Sequence, residues 1–265
     1  MIFLWCLFSR GSKGCLSKNQ KYYNLISKGQ IKLITSLQQK KYRNKEGLFI
    51  AEGAKVIDEL LNQGLELHSH YQTNAKTTDS QVSDISEVLL QKISCLKTAN
   101  TSLAIFKIPS PKPLLNAGLT LVVDAVRDPG NLGTIIRLCD WFGVSQLVCS
   151  QDTVDCYNPK VVQATMGSIA RVPIHYLDIH PYLKQAKVPV YTAIMDGENV
   201  YNATLASDAI LIMGNEANGV SQKIKSLSTH QIAIPQFGEM HATESLNVAS
   251  ATAILLSEFA RSTER

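Results

Sequence analysis

Three stretches of this 265-residue chain set polar and basic side chains beside glycine at short, fixed spacings. The first runs from Asp124 through Gly130, Asn131 and Gly133 to Arg137. Asn131 can cap a following helix, satisfying one of its free N–H donors. Gly130 and Gly133 let backbone come close to a ligand or a neighbouring element. Arg137 follows about one turn into that helix, where a planar, permanently charged fork suits a phosphate or a carboxylate. A capped helix with a surface arginine is the plainer alternative. The spacing is neither G-x-G-x-x-G nor a P-loop, which disfavours the standard dinucleotide and nucleoside-triphosphate sites.

The second stretch, residues 210–221, runs from an apolar strand through Gly214, Asn215 and Glu216 to Ser221, which can cap a short helix. Glu216 can pair with a cation or orient polar groups, or it is a solvated acid in a turn. The third begins at Ile234, breaks at Pro235 and restarts near Ser245 as a helix. Ser245 and Asn247 can bind the free N–H groups at that helix start. The helix continues with Ala249-Ser-Ala-Thr-Ala253, five small residues that allow close packing in a crowded interior or at a subunit contact.

The elements around these stretches predict an α/β protein. Near-continuous apolar strands are expected at 119–126, 146–149, 172–176, 190–194, 209–213 and 231–234. Helices are expected at 133–142, 160–169, 180–185, 221–227 and 246–261. Such alternation indicates a parallel sheet covered on both faces, and ligands of such sheets sit where loops leave the carboxyl ends of the strands. Ahead of it, residues 28–108 read as a smaller α/β unit: a helical face around 31–37, a basic loop at 40–47, a strand at 48–51, a helix from 53 closed by Gly64, and strands at 65–70 and 103–108. Three prolines between Pro109 and Pro113 mark residues 109–118 as a linker. Residues 1–27 read as a basic extension, leaving 119–265 as the larger unit.

Composition fits a folded globular protein, with 45% hydrophobic and 18% charged residues. The net charge of +4 hides an asymmetry: residues 1–50 carry ten Lys/Arg against Glu46 alone, so the rest of the chain is acidic. A basic end on an acidic protein suits a polyanion partner, or is a solvated tail. The six cysteines include no C-x-x-C pair, which argues against a zinc site and a disulfide framework and for reduced thiols in the cytoplasm. The apolar start at residues 1–8 is too short to span a bilayer and has no signal-peptide pattern.

Taken in order, N-L-G-x-x-x-R, I-M-G-N-E-x-x-G-V-S and I-P-x-F-G…S-L-N-V-A-x-A-T-A resemble the three motifs of the SpoU (TrmH) RNA methyltransferases of the SPOUT superfamily. The likeness covers residues 119–265. A shorter stretch, Lys45-Glu-Gly-Leu-Phe-Ile-Ala-Glu-Gly53, resembles that family's smaller substrate-binding domain, which is ribosomal-protein-like in fold. The resemblance implies transfer of a methyl group from S-adenosylmethionine to a ribose 2′-hydroxyl of structured RNA, rRNA or tRNA. It also implies a deep C-terminal trefoil knot and a homodimer formed through the C-terminal domain. The cofactor would be held largely by backbone around Gly214, Ile234 and Leu246. Arg137 would be the principal catalytic residue, with Asn131, Glu216, Ser245 and Asn247 orienting it, the ribose and the cofactor loops. One departure is the longer loop 239–244 between the two halves of the third motif. Two other readings stand beside this one: an RNA-binding protein that kept the SPOUT fold without catalysis, and a small-molecule α/β enzyme taking a phosphorylated metabolite.

Overall fold

The computed structural model describes residues 26–74, 81–215, 218–238 and 245–263. The expectations for the first 25 residues, for Glu216 and for loop 239–244 fall outside these ranges.

The first unit contains α1 (Lys28–Ser36), α2 (Lys40–Glu46), β1 (Leu48–Glu52), α3 (Ala54–Asn62), β2 (Leu67–Gln72), β3 (Val82–Asp84), α4 (Glu87–Ile93) and β4 (Ser102–Lys107). Its sheet has the order β1-β4-β2-β3, with β4 antiparallel to both of its neighbours. A capping box starts α1: Ser27 Oγ accepts from the Gln30 N–H at 3.2 Å, and Gln30 Oε1 accepts from the Ser27 N–H at 2.9 Å.

The second unit contains β5 (Leu119–Val123), α5 (Pro129–Trp141), β6 (Gln146–Cys149), α6 (Pro159–Thr165), β7 (Ile174–Tyr176), α7 (Ile179–Lys184), β8 (Val190–Asn199), β9 (Ala209–Met213), α8 (Gln222–Lys225), β10 (His230–Ala233) and α9 (Val248–Thr263). All neighbours in its sheet are parallel, in the order β10-β8-β9-β5-β6-β7. Successive strand residues point to opposite faces, and both faces are covered. Leu121, Val123, Leu147, Cys149, Leu211 and Met213 share a core with residues of α5, α6 and α9. Val122, Val148, Ile210 and Ile212 pack with residues of α7 and α8. No helix among the described residues is long and apolar enough to cross a membrane.

Several expectations need correction. The segment read as a basic loop is α2, because its inward face is built by a charge that apolar periodicity does not register. Arg43 is only 2% exposed. Its Nη1 donates to the Leu37 and Gln38 carbonyls at 2.9 Å each, Nε donates to Asp155 Oδ2 at 2.9 Å, and Nη2 pairs with the same oxygen. Strand β8 also runs on to Asn199, past the expected end at residue 194. Helix α6 stops at Thr165, where Met166 adopts a left-handed backbone conformation, φ 52°.

The two units share one core. Phe49, Ala51, Val56, Ile57, Leu60, Ala104 and Phe106 lie in the same buried cluster as Leu121, Ile135 and Val161. Opposite residues of the same strands, Ile50, Leu103 and Ile105, face α1 and α4 instead. Around this seam Phe49 packs against Tyr157, ring centroids 4.9 Å apart. Arg171 bridges Glu59 of α3 at 3.0 Å and Asp140 of α5 at 2.7 Å. Its hydrogen bonds hold the Asp140 carboxyl below the usual range, against the opposing pull of burial. That contribution to stability is present above the ordinary aspartate pKa and fades as pH falls through the lowered folded value.

Helix α5, which carries Arg137, sits unusually close to α6. A Cβ on Gly133 would lie 2.4 Å from Ala164 Cβ and 2.9 Å from the Val161 carbonyl oxygen. Gly133 therefore serves a neighbouring element. Gly133→Ala is expected to cost about 1–3 kcal/mol through overpacking, read as a lower urea midpoint at unchanged m.

Candidate functional site

The site is built at the carboxyl ends of β5, β9, β8 and β10. After β5 the chain turns sharply at Ala125, a non-glycine residue at φ 58°. Such a backbone persists only where the surroundings over-determine it. The Ala125 N–H donates to Ser150 Oγ at 2.8 Å, and its carbonyl accepts from Asn215 Nδ2 at 2.6 Å. One residue earlier, Asp124 Oδ2 accepts from the Ser221 N–H at 3.2 Å. The first and second motif loops are thus stitched together by side chains of both.

Asp128, not Asn131, caps α5. Its Oδ1 accepts from the Asn131 N–H at 2.8 Å, and Pro129 occupies the first turn, where a missing N–H costs nothing. The Asn131 side chain is left to reach the third loop, where its Oδ1 accepts from Asn247 Nδ2 at 3.0 Å. Asn247 Oδ1 in turn accepts from the Ala249 and Ser250 N–H groups at 2.9 and 3.3 Å, capping α9. One amide thus starts the last helix and ties it to the first motif.

The second and third of these loops, with part of β8, line a cavity of about 980 Å³. Gly214, Ile234, Leu246 and Ser245 all line it, so the structure gathers four of the expected residues around one space. Asn131 and Asn247 stand beside it through their mutual hydrogen bond. Arg137 lies six residues beyond Asn131 on α5, outside the lining, exposed and with no hydrogen bond or ion pair among the described residues. It shares an exposed stripe with Gly130, Thr134 and Trp141, the last 82% exposed. Within α9, Ala249 and Thr252 are buried, which favours the crowded interior for that face of the small-residue run.

Sequence reasoning missed one wall. Residues 193–196 line the cavity because β8 leaves the β10 ladder after Thr192, paired with Gln231, and rejoins at Glu198, paired with Ile232. Gly197 was the available signal, since glycine inside a strand marks a bulge or a close backbone approach. Here a Cβ would meet the Ile232 carbonyl carbon at 2.6 Å. Phe237, 82% exposed and stacked on Tyr201 at 6.4 Å, and Lys225 complete the unanticipated lining.

The fold and site define an α/β protein whose parallel sheet ties three loops together beside one cavity. The chain belongs to the SpoU rRNA Methylase family, whose model matches residues 118–257. Residues 28–104 match an MRM3-like substrate binding domain. The chain is 31% identical over 250 residues to 23S rRNA (guanosine(2553)-2′-O)-methyltransferase RlmP of Bacillus subtilis (strain 168), covering 91% of this chain and 96% of that protein. A solved TrmH-family structure from Porphyromonas gingivalis is 37% identical with a TM-score of 0.81, covering 90% of this chain and 99% of the other. The AdoMet-bound rRNA methyltransferase from Sinorhizobium meliloti is 29% identical with a TM-score of 0.77, covering 89% and 97%.

Proposed function

We propose that this chain transfers a methyl group from S-adenosylmethionine to a ribose 2′-hydroxyl of structured RNA, ribosomal or transfer. The observation that carries the reading is the single cavity formed by the second and third motif loops, tied by Asn247 and Asn131 to the helix of Arg137. The cavity suits the cofactor, since apolar side chains and a few polar groups line it together with Gly214, Ile234 and Leu246. Bound there, S-adenosylmethionine supplies an electrophilic sulfonium methyl. The protein's part is to position the ribose, hold the RNA phosphate and stabilise charge on the 2′-oxygen as its proton leaves. Arg137 is suited to the last two of these roles, because a guanidinium stays protonated and cannot be a conventional base. Asn131 and Asn247 fix the distance between α5 and the cavity, Ser245 faces the cofactor, and Glu216 orients groups on the second loop.

In this reading the C-terminal chain is threaded as a trefoil knot. Support comes from the cavity itself, where residues 193–196, 213–215, 218–220 and 234–238 converge with Ser245, Leu246, Val248, Ala251 and Leu255. Knots are rare, and close threading suits the small residues of α9. The enzyme works in the cytoplasm as a homodimer through the C-terminal unit, for which Trp141, exposed one turn beyond Arg137, is a fitting contact.

The first unit grips RNA through exposed lysines, among them Lys28, Lys32, Lys40, Lys41 and Lys45. Lys32→Gln, Lys41→Gln and Lys45→Gln together should weaken RNA binding and flatten its log–log salt dependence by roughly 0.7–0.9 per lost phosphate contact. An unchanged slope in a filter-binding series would remove these lysines from the interface. The functional reading is tested by mass spectrometry of digested rRNA and tRNA from cells lacking the protein. One 2′-O-methyl nucleoside should be missing, and an intact set would favour an RNA-binding protein without catalysis.

A further inference from the structure

Among the described residues that line the cavity, two side chains carry charge: Asp196 and Lys225. Asp196 sits exposed in the excursion of β8 described above, and Lys225 ends α8, half-buried. Neither makes an ion pair or a hydrogen bond among the described residues, and they are not paired with each other. An aspartate and a lysine opening on one space gain by pairing wherever their reach allows. Their separation leaves one negative and one positive group for a ligand that brings both opposite charges. Ala193, Ile194, Met213, Ile232 and Val248 add apolar surface to the walls.

We infer that Asp196 and Lys225 hold the amino-acid end of the cofactor, Asp196 facing its α-ammonium and Lys225 its carboxylate. The inference rests on the methyltransferase reading and adds two positioning residues to it. Neither belongs to the three motif strings, and neither touches the reacting methyl. The excursion of β8 then has a purpose, since it carries an acid over the cavity at a point where a regular ladder would keep the strand flat against β10. The apolar walls are left to the nucleoside part, as in pockets generally, where a few polar groups fix orientation within an apolar lining.

Two probes separate the charges from the rest of the ligand. S-Adenosylhomocysteine keeps the amino-acid end, whereas 5′-methylthioadenosine lacks it and keeps the nucleoside. Calorimetry on Asp196→Asn and Lys225→Met should show S-adenosylhomocysteine binding weakened about tenfold in each, the loss expected for a charge-assisted contact in a partly open site. Methylthioadenosine should bind both variants within about twofold of the wild type, which also reports an intact fold. Unchanged S-adenosylhomocysteine affinity in both variants overturns the inference, as does an equal loss for both probes. If the wild type binds neither probe, the cofactor reading itself fails and the inference falls with it.

Discussion

Arg137→Ala should bind S-adenosylhomocysteine as the wild type does and lose methyl transfer by roughly 10²–10³-fold, the scale of removing one preorganised donor from a developing charge. The split follows from geometry. Arg137 lies outside the cavity lining and makes no hydrogen bond or ion pair with the described residues that form it, so deleting its side chain leaves the cofactor walls in place. It is also exposed, so the fold loses little packing. Arg137→Lys should recover only part of the rate, because an ammonium keeps the charge and loses the planar fork. Single-turnover kinetics beside calorimetry reads both quantities. Retained turnover in Arg137→Ala would sink the assignment, and lost cofactor binding would place the residue in the cavity instead.

The second large effect lies at the seam between the units. Asp155→Ala should destabilise the protein by about 3–5 kcal/mol, because it strips a buried guanidinium of its counter-charge. Arg43 is 2% exposed and Asp155 12%, so water has little access to replace the carboxylate. Replacing both, as Arg43→Met with Asp155→Leu, should cost less than Asp155→Ala alone, since no orphan charge remains. Urea unfolding of the three variants measures this directly. A loss below about 0.5 kcal/mol in Asp155→Ala would show that the pair is no more than a surface contact. Because the units share a core, the single mutant should unfold in one transition, carrying the helices of the first unit and the sheet of the second together.

Much of the second unit was legible because buried parallel strands are continuous apolar runs. Gln146–Cys149 and Ala209–Met213 form strands at the expected residues. Arg43 was not legible for the opposite reason. Its partner is 112 residues away in sequence, and a lone arginine among lysines reads as solvated. The shared core was hidden because the prolines after residue 108 suggest a linker, whereas Phe49 and Phe106 reveal their inward face only once β1 and β4 pair. At the site, the family resemblance pointed to Gly214, Ile234, Ser245 and Leu246, all of which line the cavity, while local pattern gave Asn131 the cap that Asp128 holds. Local pattern cannot choose between two capping residues three positions apart. The excursion of β8 was missed because the apolar run stops at Ile194, whereas the strand continues through mostly polar residues to Asn199.

Ribose methylation of RNA, with S-adenosylmethionine as donor, is the reaction assigned to this chain. Its most direct test is to incubate the purified protein with S-adenosylmethionine and unmodified rRNA or tRNA transcripts, digest the RNA to nucleosides and weigh them by mass spectrometry. One new nucleoside, heavier by a methyl on the sugar, is predicted with the wild type and should be absent with Arg137→Ala. A methyl found on a base, or no methylated product from any transcript, would contradict the claim.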